Sequence, residues 1–179
     1  IAYQFVDDWR NVVLRKSVRI PNPPNRFFAD PFIWYQKGEH YCFVEDFDFD
    51  KKRACISVLK ISQCGSEFLG TAIEEPFHLS YPFIFSDGDN IYMCPETAGI
   101  KEIRLYKCIK FPLSWKLHKV IMKNISAADS NIFKWDDKWW LMTNLCSSGL
   151  DDHNSELHLF STSDLHSFCQ APTPFLWTL

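Results

Sequence analysis

The 179 residues carry a formal net charge of −3, with 46% apolar residues and 16% aromatics. An apolar share of this size excludes a disordered chain. No basic run is longer than Lys51-Lys52-Arg53, which leaves no electrostatic footprint for nucleic acid or an anionic membrane surface. Seven cysteines are scattered without a Cys-x-x-Cys pair, so a zinc site has no ligand spacing to build on. They read as reduced core thiols, the pattern of a reducing, cytoplasmic compartment. No apolar run approaches the length needed to span a bilayer and no signal-peptide pattern is present. The chain begins at Ile1 and ends in an apolar stretch at Leu179, which reads as part of a longer protein.

In chain order, residues 1–25 read as an opening strand at 11–15 followed by the connector Pro21-Asn22-Pro23-Pro24. From residue 26 one unit recurs three times, over about 26–76, 77–124 and 125–179. Its starts are Ala29-Asp30-Pro31-Phe32-Ile33, Ser80-Tyr81-Pro82-Phe83-Ile84 and Ala128-Asp129-Ser130-Asn131-Ile132. Fifteen residues separate Asp30 from Glu45, Tyr81 from Glu96 and Asp129 from Asn144, and the units follow one another at 51 and 48 residues. If each pair faces across an antiparallel hairpin, the turns fall at Lys37-Gly38, Gly88-Asp89 and Asp136-Asp137, all turn-prone pairs. The predicted strands are 32–35 with 40–44, 83–85 with 91–94, and 132–135 with 139–143. Their nearly continuous apolar runs predict burial on both faces. Third strands are predicted at 55–61, 102–108 and 156–161, and outer ones at 68–73 and 115–121. Pro95 predicts a bulge or strand end before Glu96. The fold class is therefore all-β: about three four-stranded antiparallel blades of a β-propeller.

Antiparallel pairing returns Asp30, Glu45, Tyr81, Glu96, Asp129 and Asn144 to one rim. A concave mouth lined with carboxylates is the kind of place where ligands bind, although an Asp at a strand start also caps its own turn. His78 precedes the second unit and enters at the same rim, where it can serve either as a ligand contact or as a structural histidine. The Asp46-Phe47-Asp48-Phe49-Asp50 run reads as a solvated acidic loop, since a hard cation needs more oxygen ligands than it supplies. Asp151-Asp152-His153 is discounted on the same ground. No metal and no cofactor is expected.

Several of these motifs resemble known propellers. Ala29-Asp30-Pro31-Phe32-Ile33 is similar to the first-blade signature of the five-bladed glycoside hydrolase family 43, and Asp129-Ser130-Asn131-Ile132-Phe133 to a later blade. The ordered set His78-Leu79-Ser80-Tyr81-Pro82-Phe83, Pro95-Glu96, Arg104-Leu105-Tyr106, Phe111-Pro112 and Trp115 resembles the propeller region of glucosamine inositolphosphorylceramide transferase-like proteins. The hydrolase resemblance implies Asp30 as general base, Asp129 as a second carboxylate and Glu96 as the nearest substitute for the general acid. Glu45, His78, Tyr81, Arg104 and Asn144 are the candidate sugar contacts. Three readings follow: a carbohydrate-active, hydrolase-like propeller; a non-catalytic glycan-recognition module of a glycosyltransferase-type protein; or a protein-interaction scaffold. The expected partner is a carbohydrate or glycoconjugate, with further blades or a fused transferase domain beyond this chain.

Overall fold

The computed structural model describes residues 1–146, 153, 156–168 and 177–178. The strand expected at 11–15 is not there. Trp9–Asn11 and Leu14–Lys16 form two 3-10 turns, the first capped by the Asp8 carboxylate on the Arg10 amide at 2.9 Å. Trp9 and Leu14 are 80% and 85% exposed, so Val12, Val13 and Leu14 have no sheet to bury them, and the apolar run alone does not make a strand. This segment contributes only β1 (Ala2–Tyr3) and β2 (Val18–Arg19), which pair with each other.

The remaining strands are β3 (Arg26–Gln36), β4 (Glu39–Asp48), β5 (Arg53–Ser62), β6 (Gly65–Ile73), β7 (Ser80–Asp87), β8 (Asn90–Glu96) and β9 (Glu102–Lys110). They are followed by β10 (Ser114–Lys123), β11 (Ala127–Trp135), β12 (Lys138–Leu145), β13 (Glu156–Thr162) and β14 (Trp177–Thr178). They form three four-stranded antiparallel sheets in the order β3-β4-β5-β6, β7-β8-β9-β10 and β11-β12-β13-β14. Each sheet is a meander, so each is a blade with its first strand innermost. The three hairpins turn at the expected residues, with Gln36 opposite Glu39, Asp87 opposite Asn90 and Trp135 opposite Lys138. Two turns place both central residues in the left-handed region, Lys37 and Gly38 at φ 50° and 82° and Asp136 and Asp137 at 49° and 56°. That is the twist a two-residue hairpin prefers.

Each inner hairpin also carries the same defect near its base. Ala29 faces Glu45 and Phe32 faces Phe43, so Asp30 and Pro31 together oppose Val44. The same bulge sets Tyr81 and Pro82 against Pro95, and Asp129 and Ser130 against Thr143. The first residue of each bulge is left-handed: Asp30 at φ 45°, Tyr81 at 46° and Asp129 at 52°. Asp tolerates that region, whereas a tyrosine there holds local strain. The predicted bulge is real, but the extra residue lies on β7, and Pro95 is the single residue opposite it. A proline fits there because the bulge already interrupts the ladder.

Burial follows position in the stack. Phe43, Ile56 and Val58 of the first blade pack on Ile84, Met93 and Tyr106 of the second. The other face of the second blade, with Cys94, Ile103 and Leu105, meets Ile132, Trp139 and Leu141 of the third. The second blade is thus covered on both faces, as its continuous apolar strands predict. The first strands of the two flanking blades are not. Ile33 and Tyr35 of β3 are 51% and 62% exposed, and Phe133 and Trp135 of β11 are 39% and 70% exposed, because they point away from the middle sheet. On the first blade, Ile20 and Phe28 cover Cys42, Val44, Leu59 and Ile61.

Candidate ligand site at the propeller mouth

The three bulges bring the predicted residues to one end of the inner strands. A bulge frees the amide of its first residue from the ladder, and in two cases a carboxylate of the preceding blade takes it. Tyr81 N–H donates to Asp30 Oδ2 at 3.2 Å, and Asp129 N–H donates to Glu96 Oε2 at 3.3 Å. Tyr81 spans all three blades. Its ring meets Phe32 of the first edge-to-face at 5.1 Å, and its hydroxyl donates to Asn131 Oδ1 of the third at 3.3 Å. Asn131 is held in turn, its Nδ2 donating to the Asp129 carbonyl at 2.8 Å.

The carboxylates sense one another. Burial pushes the Asp30 carboxyl above its ordinary value, and the charges of Glu45 and Asp129 push in the same direction while the Tyr81 amide opposes them. Glu45 is itself only 8% exposed. Glu96 is also raised, chiefly by burial and further by Asp129, against the Asp129 amide, His153 and His78. His78 Nδ1 accepts the Ala54 amide at 3.1 Å, which leaves the proton on Nε2, 3.4 Å from Glu45 Oε1. The hydrogen bond to Glu45 raises the imidazole above its ordinary value. The result is an acidic mouth, with Asp30, Glu45, Glu96 and Asp129 linked to one another and to His78 by hydrogen bonds or mutual charge. Burial and neighbouring charge both favour the protonated form of Asp30 and of Glu96, so the mouth can present a donor beside its acceptors.

Not every expected residue joins this group. Asn144 pairs with Ala128 at the third base of the mouth. Arg104 stands apart: Nε pairs with Glu102 at 2.7 Å and its guanidinium lies over Phe77 at 4.9 Å. The Phe77 ring belongs to the 74–79 connection that carries His78. The acidic run 46–50 is not simply solvated, because Asp46 is fully buried and bonds Arg26 at 2.8 Å and Ser57 at 2.7 Å. Two residues absent from the sequence-based set belong at the mouth. Asn131 occupies the second position after a bulge Asp, a place whose meaning appears only once the bulge is known. His153, discounted in the sequence together with Asp151 and Asp152, which lie outside the described residues, influences Glu96 and bonds Ser126 Oγ at 2.9 Å.

Stacked four-stranded blades with an acidic inner rim define a partial β-propeller of the type found in glycoside hydrolases. The structure resembles exo-β-1,3-galactanase from Phanerochaete chrysosporium with β-1,3-galactotriose (TM-score 0.65, 15% identity, 86% of this chain and 36% of that one). It also resembles an arabinanase from Bacillus subtilis (TM-score 0.60, 14% identity, 76% and 52%). The sequence profile described as "Glucosamine inositolphosphorylceramide transferase 1, N-terminal" matches residues 10–173, and the chain belongs to that family. Curated relatives named glucosamine inositolphosphorylceramide transferase 1 are 38% identical over 145 residues in Oryza sativa subsp. indica, covering 79% of this chain and 19% of the relative. The Arabidopsis thaliana relative is 40% identical over 121 residues, covering 66% and 16%. The chain thus spans about a fifth of the length of these relatives.

Proposed function

We propose that this chain is the glycan-recognising part of a glycosyltransferase-associated protein, with the ligand seated at the propeller mouth. The observation that carries this reading is the joining of Asp30, Glu45, Glu96 and Asp129 with His78 at one rim. The raised, partly buried carboxyls of Asp30 and Glu96 have unused acceptor positions and suit the bidentate hydroxyl pairs of a sugar. Tyr81 and Asn131 add a hydroxyl and an amide beside them. The family's transferase name and the galactotriose-bound galactanase neighbour both support a carbohydrate as the partner.

The test is retention of fluorescent neutral mono- to tetrasaccharides on an array, for wild type and for Glu45→Gln and Glu96→Gln. The reading expects wild-type retention of at least one glycan and a loss of about ten-fold or more in each variant, the scale of a lost charge-assisted hydrogen bond. Retention unchanged by both substitutions would place any sugar elsewhere. A second reading, hydrolysis, is favoured by one observation: Glu96 is raised toward the protonated form a general acid needs. It expects turnover of the retained glycan by wild type, abolished in Asp30→Asn while binding persists.

A further inference from the structure

The hairpin of the first blade does not stop where the repeat stops. In the second blade the ladder ends with Ser80 opposite Glu96, and in the third with Ala127 opposite Leu145. In the first it continues past Ala29 and Glu45 through Phe28–Asp46 and Phe27–Phe47 to Arg26–Asp48. This extension rises beyond the mouth on one side only, and stacking of the three blades does not require it.

Its inward face is aromatic. Alternate residues of a strand share a face, so Phe43, Glu45 and Phe47 form one stripe: Phe43 in the core between blades, Glu45 at the mouth and Phe47 above it. Phe27 stacks on Phe47 at 5.0 Å, and Phe49 closes on both at 5.7 and 5.5 Å. Phe47 also meets the His78 ring at 6.0 Å, and His78 is bonded to Glu45, so the aromatic group is continuous with the carboxylates. Phe49 remains 53% exposed although it is firmly held. Its amide donates to the Asn25 carbonyl at 3.2 Å, and Asp48 Oδ1 takes the amides of Asp50 and Lys51 at 2.9 and 3.1 Å. Lys51 ties the turn to Glu74 at 2.6 Å.

We propose that Phe27, Phe47 and Phe49 form a stacking wall for a second sugar unit, next to the unit held by the carboxylates. This rests on the glycan reading above. A pyranose has one face of C–H groups and an equatorial belt of hydroxyls, so it suits an exposed rigid ring beside an acceptor-rich rim. The spacing fits. Two residues along a strand advance about 6.5–7 Å, so the wall begins one such step from Glu45 and ends at the pinned turn. The mouth then selects a chain of at least two sugars.

The experiment is calorimetric titration of the full 179-residue chain with the best-retained array trisaccharide and with its terminal monosaccharide. Wild type, Phe49→Ala, Phe49→Trp and Glu45→Gln are compared. The wall predicts that Phe49→Ala weakens the trisaccharide roughly three- to ten-fold, the worth of one aromatic face. It also predicts monosaccharide affinity within two-fold of wild type and restored trisaccharide binding in Phe49→Trp. If Glu45→Gln loses binding while Phe49→Ala keeps full trisaccharide affinity, the wall is overturned and the mouth stands. If wild type retains no glycan, the glycan reading fails and the wall with it.

Discussion

Glu96 is the residue on which stability and the proposed ligand role pull in opposite directions. Its carboxyl is raised by burial and by Asp129, so the folded chain binds that proton more tightly than the unfolded chain does. The contribution of this group to stability is complete below the ordinary value of 4.5 and is lost as pH rises through the raised one. Glu96→Gln cannot ionise yet keeps an acceptor for the Asp129 amide. The variant is therefore expected to melt at a higher temperature than wild type at pH 7, by a few degrees, with the gain vanishing as pH falls to about 4. Thermal melts across that range check this, and a variant that is less stable at pH 7 would show the carboxylate to be stabilised in place. The same substitution is expected to cost glycan binding, which separates a residue kept for a ligand from one kept for the fold. Tyr81, left-handed at φ 46°, is a second residue whose strain is explained better by its three-blade contacts than by local preference.

At the scale of elements, most of the hairpins were legible because two independent signals agreed. The fifteen-residue spacing placed the turns, and Lys37-Gly38 and Asp136-Asp137 have the chemistry that left-handed turn positions require. What spacing could not show was the bulge. A bulge adds one residue to one strand only, so it shifts the partner of Asp30 without moving the turn. The wall above the mouth was hidden for a related reason: Asp46-Phe47-Asp48-Phe49-Asp50 looks polar until the buried ion pair of Asp46 and the turn-capping role of Asp48 are known. The misread opening segment shows the reverse. Val12 and Leu14 are strand formers, 46% and 85% exposed, that found no ladder to join. Packing between blades is where stability is concentrated. Leu105, fully buried between the second and third sheets, is expected to cost about 2–5 kcal/mol when cut to alanine. Leu117, 45% exposed on the outer strand, is expected to cost within about 0.5 kcal/mol. Denaturant unfolding of the two variants measures the contrast, and equal losses would mean that the blades do not share one core.

For the whole molecule, three blades repeat one plan, and the differences between them set the character of the mouth. Left-handed bulges recur at Asp30, Tyr81 and Asp129, and Asp30 gives its carboxylate to the next blade. Glu96, from the second strand, does so for the third. The repeat therefore builds a mouth, and substitutions within it make that mouth acidic and asymmetric. No helix among the described residues is long and apolar enough to cross a membrane. The likeness to galactanase and arabinanase folds, at 15% and 14% identity, is one of architecture, and the family match assigns that architecture to a transferase-named group. The acidic mouth is proposed to hold a sugar. The most direct measurement of this is the chemical-shift change of the Tyr81 and Asp129 backbone amides on adding the best-retained array trisaccharide. These two amides bond Asp30 and Glu96, so a sugar at the mouth must shift both, saturably, and the shifts must disappear in Glu45→Gln. Amides elsewhere shifting while these two stay still would contradict the account.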